Sequence, residues 1–386
     1  MNGLKGKIGL MASSFTMMSF FMVNPVLADI AKAYPDTSVQ AVQMITTLPN
    51  LLSLIVALIV GKLTSYFYKR TLIIISKFFF LAGGLFPYFF HQNIVCFLFG
   101  AGVIGIGLGI MVTCVAALIC DCYSEKESGI LLGLQAAFIS GGGMVFTWLG
   151  GQLGKVHWRN VFLAYLLIAV VLVIEIICLP KGSLDQREME RDGKKEERKH
   201  NVPAGVWFYG ITGFLFFMFL TIFNTSISML VNGRGFGGAQ EASYASMCYT
   251  FTGLVMGCLA GFLIAMLREY TFVLSCVMAC IGMLLIYVGG GLGLIFIGSA
   301  FCGGAFAIFN PAGNYFAVRQ AGVGNQAICI AVYSSASSLG QAISPICIGV
   351  AFKALSIPQR FLGGALALAL IGVVAVIGIR SWISRR

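Results

Sequence analysis

The sequence predicts an all-α membrane protein built from two six-helix bundles. Of its 386 residues, 59% are hydrophobic and only 10% are charged, and the mean hydropathy is +0.92. A soluble domain carries about 25% charged residues, so this chain has too few to cover a water-facing surface. Apolar runs of about twenty residues recur throughout, each long enough to cross about 30 Å of hydrocarbon. They are too long and too continuously apolar for the strands of a membrane barrel.

Twelve helical spans are predicted, and the charges between them orient the chain. With the N-terminus in the cytoplasm, 18 of the 25 Lys and Arg residues fall on cytoplasmic segments, six on external segments, and Lys77 lies inside a span. This positive-inside bias predicts a multi-pass protein of the cell inner (plasma) membrane with both termini cytoplasmic. The net charge of +11 is thereby explained without nucleic-acid binding. The predicted spans are 8–33, 41–62, 71–90, 94–119, 129–151, 158–179, 205–230, 241–265, 271–289, 292–317, 326–351 and 361–380.

One long polar stretch divides the chain almost at its midpoint. Its mixed charges, from Lys181 to Asn201, cannot bury enough apolar area to fold alone. The sequence therefore predicts an N-terminal bundle at 1–180, a cytoplasmic linker at 181–202 and a C-terminal bundle at 203–386. Six spans on each side indicate a parallel internal duplication. Overlaid at an offset near 200, the halves match Asn24 with Asn224, Gly61 with Gly261, and Gly143 with Gly340.

No metal or cofactor is expected. Most of the twelve cysteines lie in apolar spans, where a free thiol behaves as a small hydrophobe. Cys120 and Cys122 flank Asp121, but no set of His and Cys partners accompanies them. The first span has no small-residue cleavage site and runs on into Asp29, so we expect a retained helix and not a removed signal peptide.

The segment between the second and third spans, 61–70, resembles a signature of the major facilitator superfamily, Gly-x-Leu-x-Asp-x-x-Gly-Arg-Lys/Arg. Ser65 stands where the family has Asp, and Phe67 stands where it has its second Gly. The segment 157–162 resembles the family's Trp-Arg-x-x-Phe entry to the sixth helix, and the fifth span is rich in glycine, as in the family. The positions of 61–70 that match are Gly61, Leu63, Lys69 and Arg70.

The resemblance covers essentially the whole chain. It implies a bacterial-type secondary transporter with twelve transmembrane helices, in which two bundles related by a pseudo-two-fold axis alternate access to a central site. The first and seventh helices would border that site. It also implies a small-molecule substrate and the lipid bilayer as partners, and we expect a monomer.

Polar side chains near the middle of spans are the candidates for binding substrate. Amides are costly in hydrocarbon unless they face water or a partner, so lining a cavity and pairing with one another are both open interpretations. The small residues of the fifth span are interpreted as helix packing. The substrate-binding candidates are Asn24, Asn50, Gln135, Asn224, Tyr249, Asn310, Ser337 and Gln341.

Few charges lie within the predicted spans. Lys77 and Glu175 are each about 9 Å from the cytoplasmic ends of their spans. We expect both to snorkel to the interface, with an ion pair between them as the alternative. Asp29 and Glu175 are the candidates for coupling transport to a proton. A conformational latch is predicted from Gly61, Lys69, Arg70 and Asp121, in which the carboxylate of Asp121 pairs with Lys69 or Arg70.

The predicted function is transport of a small neutral or amphipathic organic molecule, with export favoured. No His lies in a predicted span and no carboxylate lies centrally, which argues against a proton-coupled exporter of cations. An uptake symporter or a facilitator for a neutral nutrient is the first alternative, and a non-transporting receptor or scaffold is the second. An enzyme is not expected, because no nucleophile, base and orienting group can be assembled and no phosphate loop is present.

Overall fold

The computed structural model describes residues 3–64, 66–180, 203–320, 326–351 and 357–383. The chain divides into two compact units, Met1–Arg198 and Lys199–Arg386. The predicted linker, 181–202, lies outside the described residues. Its boundaries therefore stay a prediction.

In the N-terminal unit, the first span is not one continuous helix. It consists of an α-helix, a turn at Thr16–Met18, a 3-10 helix and a second short α-helix. The sixth span likewise begins with a 3-10 turn, Trp158–Tyr165. The helices of this unit are α1 (Gly3–Phe15), the 3-10 helix Ser19–Val26, α2 (Leu27–Ala33), α3 (Val39–Leu63), α4 (Lys69–Phe89), α5 (Ile94–Cys122), α6 (Glu125–Val156) and α7 (Leu166–Cys178).

In the C-terminal unit, the first helix is unbroken over 30 residues. A 3-10 turn, Arg268–Tyr270, separates the second and third helices, and Arg268 adopts a positive φ of 50° there. The helices are α8 (Ala204–Gly233), α9 (Ala239–Leu267), α10 (Thr271–Val288), α11 (Leu292–Gln320), α12 (Gln326–Ala351) and α13 (Ile357–Ile383).

Each predicted span coincides with a helical segment. By length and composition, ten stretches of the described chain can cross a membrane. One of the ten, Ala239–Val288, contains both α9 and α10, and α12 is a further helix of 26 residues. The expectation of helices throughout is confirmed, and the first span, Leu4–Ala33, is long and apolar enough to cross a membrane despite its interruption.

Side chains at the helix starts satisfy backbone groups that a helix leaves unpaired. The side chain of Asn93 accepts a hydrogen bond from the amide of Cys96 (3.3 Å) where α5 begins. The carboxylate of Glu241 accepts one from the amide of Gly238 (2.8 Å) where α9 begins. These caps fix where α5 and α9 begin. α3 and α4 pack on α5, and α11 packs on α9.

Glycines set the closest helix crossings, and they do so in the same way in both units. In the N-terminal unit, α4 crosses α5 where a Cβ on Gly83 would lie 2.6 Å from the carbonyl oxygen of Gly100. In the C-terminal unit, α10 crosses α11 where a Cβ on Gly282 would lie 2.7 Å from the carbonyl oxygen of Gly298. The offsets between the two sets are 199 and 198, which supports the predicted duplication.

A second repeated crossing joins the fifth helix of each unit to the first. A Cβ on Gly142 of α6 would clash with the carbonyl of Phe15, and a Cβ on Gly340 of α12 would clash with the carbonyl of Phe214. The sequence overlay paired Gly143 with Gly340. The structural counterpart is Gly142, because the side chain of Met18, and not a backbone carbonyl, lies beside Gly143.

Candidate functional site

The first span carries the candidate Asn24 on its 3-10 segment. Asn24 is 1% exposed, and its side-chain oxygen has no hydrogen-bond partner in the structure. The hydroxyls of Ser19, on the same segment, and Thr47, on α3, are also buried without a partner. An amide and hydroxyls that are buried but unsatisfied are ready to bind a polar group of a ligand or a water molecule.

The other two candidates of the N-terminal unit lie on other helices than Asn24. Asn50 is partly exposed on α3, and its backbone carbonyl accepts the hydroxyl of Ser53 (2.8 Å). Gln135 is buried on α6. Within the described ranges, no hydrogen bond joins these amides to one another. The predicted mutual pairing of amides therefore has no support in this unit.

In the C-terminal unit, the structure joins two of the predicted residues. The side-chain amide of Asn224 on α8 lies beside the phenol of Tyr249 on α9. The Tyr249 ring stacks on Phe223, with ring centroids 4.9 Å apart and planes 13° apart, and lies 6.0 Å from the ring of Phe306. This arrangement is a neutral polar pair set in an aromatic wall, which we call the amide–phenol pair (Asn224 and Tyr249).

The candidates on α11 and α12 lie on two helices that one polar contact joins. The hydroxyl of Ser334 donates to the side-chain oxygen of Asn314 (3.3 Å), so an amide there pairs with a hydroxyl. Ser337 is buried one turn further on, and Tyr333, which sequence reasoning missed, is fully buried and donates to the carbonyl of Phe309 (3.4 Å). The remaining candidates are Gln341, partly buried on α12, and Asn310, exposed on α11.

The pair predicted for the latch is present. The ammonium of Lys69, at the start of α4, lies 2.6 Å from the carboxylate of Asp121, at the end of α5. Lys69 is fully buried and the Asp121 side chain is 21% exposed. Arg70 instead donates to the carbonyl of Ile176 (2.5 Å), near the end of α7. Gly61 lies within α3, and the structure does not describe its surroundings.

The expectation that Lys77 and Glu175 snorkel is wrong. The ammonium of Lys77 on α4 lies 3.1 Å from the carboxylate of Glu175 on α7, and both side chains are 0% exposed. Lys77 also donates to the carbonyl of Ser13 (3.4 Å) and to the hydroxyl of Thr16. The interruption of the first span brings these acceptors to the ammonium, so the charge is satisfied inside the bundle and need not reach the interface.

Asp29, the other coupling candidate, lies in the first turn of α2 and is partly exposed. Lys32 follows one turn later and acts on it electrostatically. An acidic residue at a helix start and a basic residue at its end are both favoured by the helix dipole. Local helix stability therefore accounts for an acidic residue at this position, and a proton-binding role for Asp29 stays a prediction.

The Trp-Arg-x-x-Phe segment follows the fifth span of the N-terminal unit and contacts the loops that follow the first and third spans. Trp158 lies among the rings of Tyr34, His91 and Phe97, at centroid distances of 6.1, 6.4 and 5.7 Å. The guanidinium of Arg159 bonds the Nε2 atom of His91 (2.8 Å), and the hydroxyl of Tyr34 donates to the His91 carbonyl. Burial raises the pKa of Tyr34, so this hydroxyl keeps its proton at neutral pH. We call these five residues the aromatic joint.

Comparison with known proteins agrees with this architecture. A family model described as "Major Facilitator Superfamily" matches residues 9–263. No curated protein sequence shows significant similarity. Among solved structures, the fold is similar to a point mutant of the nucleoside transporter NupG, with a TM-score of 0.79, 11% identity, and coverage of 96% of this chain and 99% of that one.

Two further structures share the fold. One is a POT family transporter in complex with a thioalcohol-conjugated peptide (TM-score 0.73, 12% identity, 97% and 96% coverage). The other is a bacterial homologue of the human lysosomal transporter Spinster in an inward-facing, unoccupied conformation (TM-score 0.72, 14% identity, 96% and 94% coverage). The family model covers well over half of the chain, and the multi-pass apolar helices fit it. The chain is therefore a membrane transporter that belongs to the major facilitator superfamily.

Proposed function

We propose that this protein moves a small neutral or amphipathic organic molecule across the cell inner membrane by alternating access, as a monomer with both termini in the cytoplasm, and that it works as an exporter. As a member of this superfamily it is a secondary transporter, so no nucleotide hydrolysis is needed. The substrate class and the direction are our proposal.

The amide–phenol pair is the observation that carries the proposed substrate class. Asn224 and Tyr249 offer donors and acceptors without formal charge, and Phe223 and Phe306 offer aromatic faces beside them. An apolar site with a few oriented polar groups is typical of small-molecule binding. It suits a molecule that has both a ring or an alkyl body and a hydrogen-bonding group.

The distribution of buried charge supports the same class. In the N-terminal unit, Lys77 and Glu175 are buried within the spans and neutralise each other. In the described part of the C-terminal unit, Arg234 is bound to backbone carbonyls where α10 ends. Arg360 is buried and its Nε atom has no hydrogen-bond partner, but it lies in the first turn of α13 and not at the middle of the span. A charge at the end of a span is poorly placed to hold an ionic substrate near the bilayer midplane.

The test of direction uses inside-out vesicles from cells that express the protein, with vesicles from cells that lack it as the baseline. An exporter accumulates a lipophilic dye in such vesicles, because their interior corresponds to the outside of the cell. Measuring uptake with and without an imposed pH gradient shows whether a proton is coupled. Equal equilibration of a neutral solute in both directions would instead favour a facilitator and contradict export.

Replacing Tyr249 by Phe should lower dye uptake to about a tenth, because losing one hydrogen bond to a polar substrate group is worth about 1.4 kcal/mol. Asn224→Ala should lower it at least as far, since it removes both the donor and the acceptor of the amide. The matched control is Tyr270→Phe, which makes the same change at an exposed tyrosine between α9 and α10. Unchanged uptake by Tyr249→Phe would remove the amide–phenol pair from the binding site.

We propose Asp29 as the first candidate for the residue that binds a coupled proton, and Glu175 as the second. Asp29 is partly exposed, whereas the carboxylate of Glu175 is already neutralised by Lys77. If uptake depends on the pH gradient, Asp29→Asn should abolish that dependence while leaving equilibration of the dye. Asp36→Asn, the same change at an exposed position of the following connection, is the control for this pH-gradient measurement.

We also propose that the Lys69–Asp121 ion pair latches one conformational state. The pair joins the start of α4 to the end of α5, and the buried ammonium has little access to solvent. Asp121→Asn should slow uptake several-fold by shifting the balance between states, and Lys69→Asp combined with Asp121→Lys should restore part of the rate. If the exchanged pair is no better than the single variants, the latch is disproved.

A further inference from the structure

The interruption of the first span has no counterpart in the second half. α1 ends at Phe15, the chain turns at Thr16–Met18, and a 3-10 helix follows, whereas α8 runs straight through the equivalent region around Phe214. Sequence repeats fold alike unless something differs between them. The cause of the interruption must therefore lie in residues that only the N-terminal unit has.

Lys77 and Glu175 are such residues. At the offset of 199 that relates Gly83 to Gly282, Lys77 corresponds to Cys276, a buried thiol on α10. A Cβ on Gly372 of α13 would lie 3.2 Å from the Cβ of Cys276, so small uncharged residues occupy the place of the ion pair. The ion pair and the interrupted helix occur together in one unit, and neither occurs at the equivalent place in the other.

The contacts of Lys77 explain how the ion pair acts on the helix. A helix that stops leaves its last carbonyls without intrahelical partners, and an ammonium has three protons to donate. Lys77 donates to the carbonyl of Ser13 and the hydroxyl of Thr16, and its charge lies 3.1 Å from the carboxylate of Glu175. Positive charge is also favourable at a helix C-terminus, and Glu175, which is likewise 0% exposed, compensates that charge.

We propose that the Lys77–Glu175 ion pair is a positioning device that ends α1 at Phe15 and thereby sets the direction in which Asn24 points. A 3-10 helix turns about 120° per residue and an α-helix about 100°, so the six residues of 3-10 helix from Ser19 to Asn24 rotate that side chain by about 120° relative to a continuous α-helix. Lys77 and Glu175 act through the chain at Thr16 and do not contact the substrate. The part of this inference that concerns Asn24 rests on the proposed function, and the part that concerns the helix does not.

The test replaces the ion pair by apolar side chains of similar size, Lys77→Met together with Glu175→Leu. Replacing both partners of a buried ion pair in this way is often neutral or stabilising, so the variant should fold, as checked by size-exclusion chromatography. Hydrogen–deuterium exchange of the peptide that covers residues 10–26 is then measured. We expect the rate of amide exchange at Thr16–Met18 to change about tenfold or more. Exchange becomes faster if the turn frays and slower if α1 continues through it.

The chain offers a matched control. Lys7 and Glu127 form an ion pair of 3.3 Å that links α1 to α6, with side chains 37% and 51% exposed. Lys7→Met with Glu127→Leu should leave exchange at Thr16–Met18 unchanged. If the apolar replacement of Lys77 and Glu175 does not fold, Thr16→Val, which keeps both charges, should still raise exchange there several-fold.

Unchanged exchange in the folded variants would overturn the inference, whatever the transport assay shows. Altered exchange with wild-type dye uptake, including an unchanged KM, would also overturn it, because the break would then have no role in transport. Altered exchange with a raised KM supports it. If the wild-type protein moves no dye, the proposed function fails. The exchange measurement still decides whether the ion pair ends α1 at Phe15.

Discussion

Replacing Lys77 alone by Met should destabilise the protein by about 3–5 kcal/mol, the largest loss that we expect from a single polar residue. The variant leaves the carboxylate of Glu175 buried without its cation, and an uncompensated buried charge accounts for a loss of this size. Glu175→Gln should lose less, because Lys77 keeps the carbonyl of Ser13 and the hydroxyl of Thr16 as acceptors. Thermal unfolding in detergent measures both.

A double-mutant cycle separates this ion pair from two independent side chains. Its members are Lys77→Met, Glu175→Leu and the combination of the two, which should recover most of the stability that Lys77→Met loses. The control is Lys7→Met, which removes an exposed partner of Glu127 and should change stability by only about 0–1 kcal/mol. Equal stabilities for both single variants, with no coupling in the cycle, would mean that the two side chains do reach the interface separately.

Replacing Gly142 by Val should reduce transport to less than about a tenth of the wild-type rate. The added Cβ would meet the carbonyl of Phe15, which is backbone and cannot rotate away, so α6 must shift away from the first span. Overpacking of this kind costs about 1–3 kcal/mol even where neighbours can relax. Dye uptake per molecule of folded protein measures the effect.

The neighbouring residue provides the control for this substitution. A Cβ on Gly141 would have no atom within 4 Å, so Gly141→Val makes the same change on the same helix without a collision. Both variants carry the same intrinsic cost of a β-branched residue in a helix. If Gly141→Val and Gly142→Val behave alike, that intrinsic cost explains the result and the close crossing does not matter.

Most of the fold follows from hydropathy because a lipid-embedded chain has few other choices. Long apolar runs must become helices, and the short polar segments between them mark where helices end. The interruption of the first span was not predictable in this way. Hydropathy averages over about nineteen residues and does not register how the backbone winds. Pro25 was a visible signal for a bend, but it lies several residues beyond the turn at Thr16–Met18.

The site was harder to predict because its contacts join residues that are far apart in sequence. The depth of Lys77 and Glu175 follows from counting residues, but whether they face lipid or each other depends on how α4 and α7 are rotated. The hydroxyls of Ser13 and Ser14 bond carbonyls of their own helix, so the sequence offered no sign that Thr16 would accept from Lys77. For Asp121, the positions of the residues along their predicted spans allowed either Lys69 or Arg70 as partner. Only the structure selects Lys69.

The aromatic joint acts as a non-covalent cross-link of the chain. A guanidinium can only donate hydrogen bonds, so Arg159 donates to the Nε2 atom of His91, and the hydroxyl of Tyr34 donates to the carbonyl of the same histidine. His91 therefore accepts bonds from two segments that lie 57 and 68 residues away in the sequence. The loops that follow the first, third and fifth spans are thereby tied together at one place, as a disulfide would tie them, without a covalent bond.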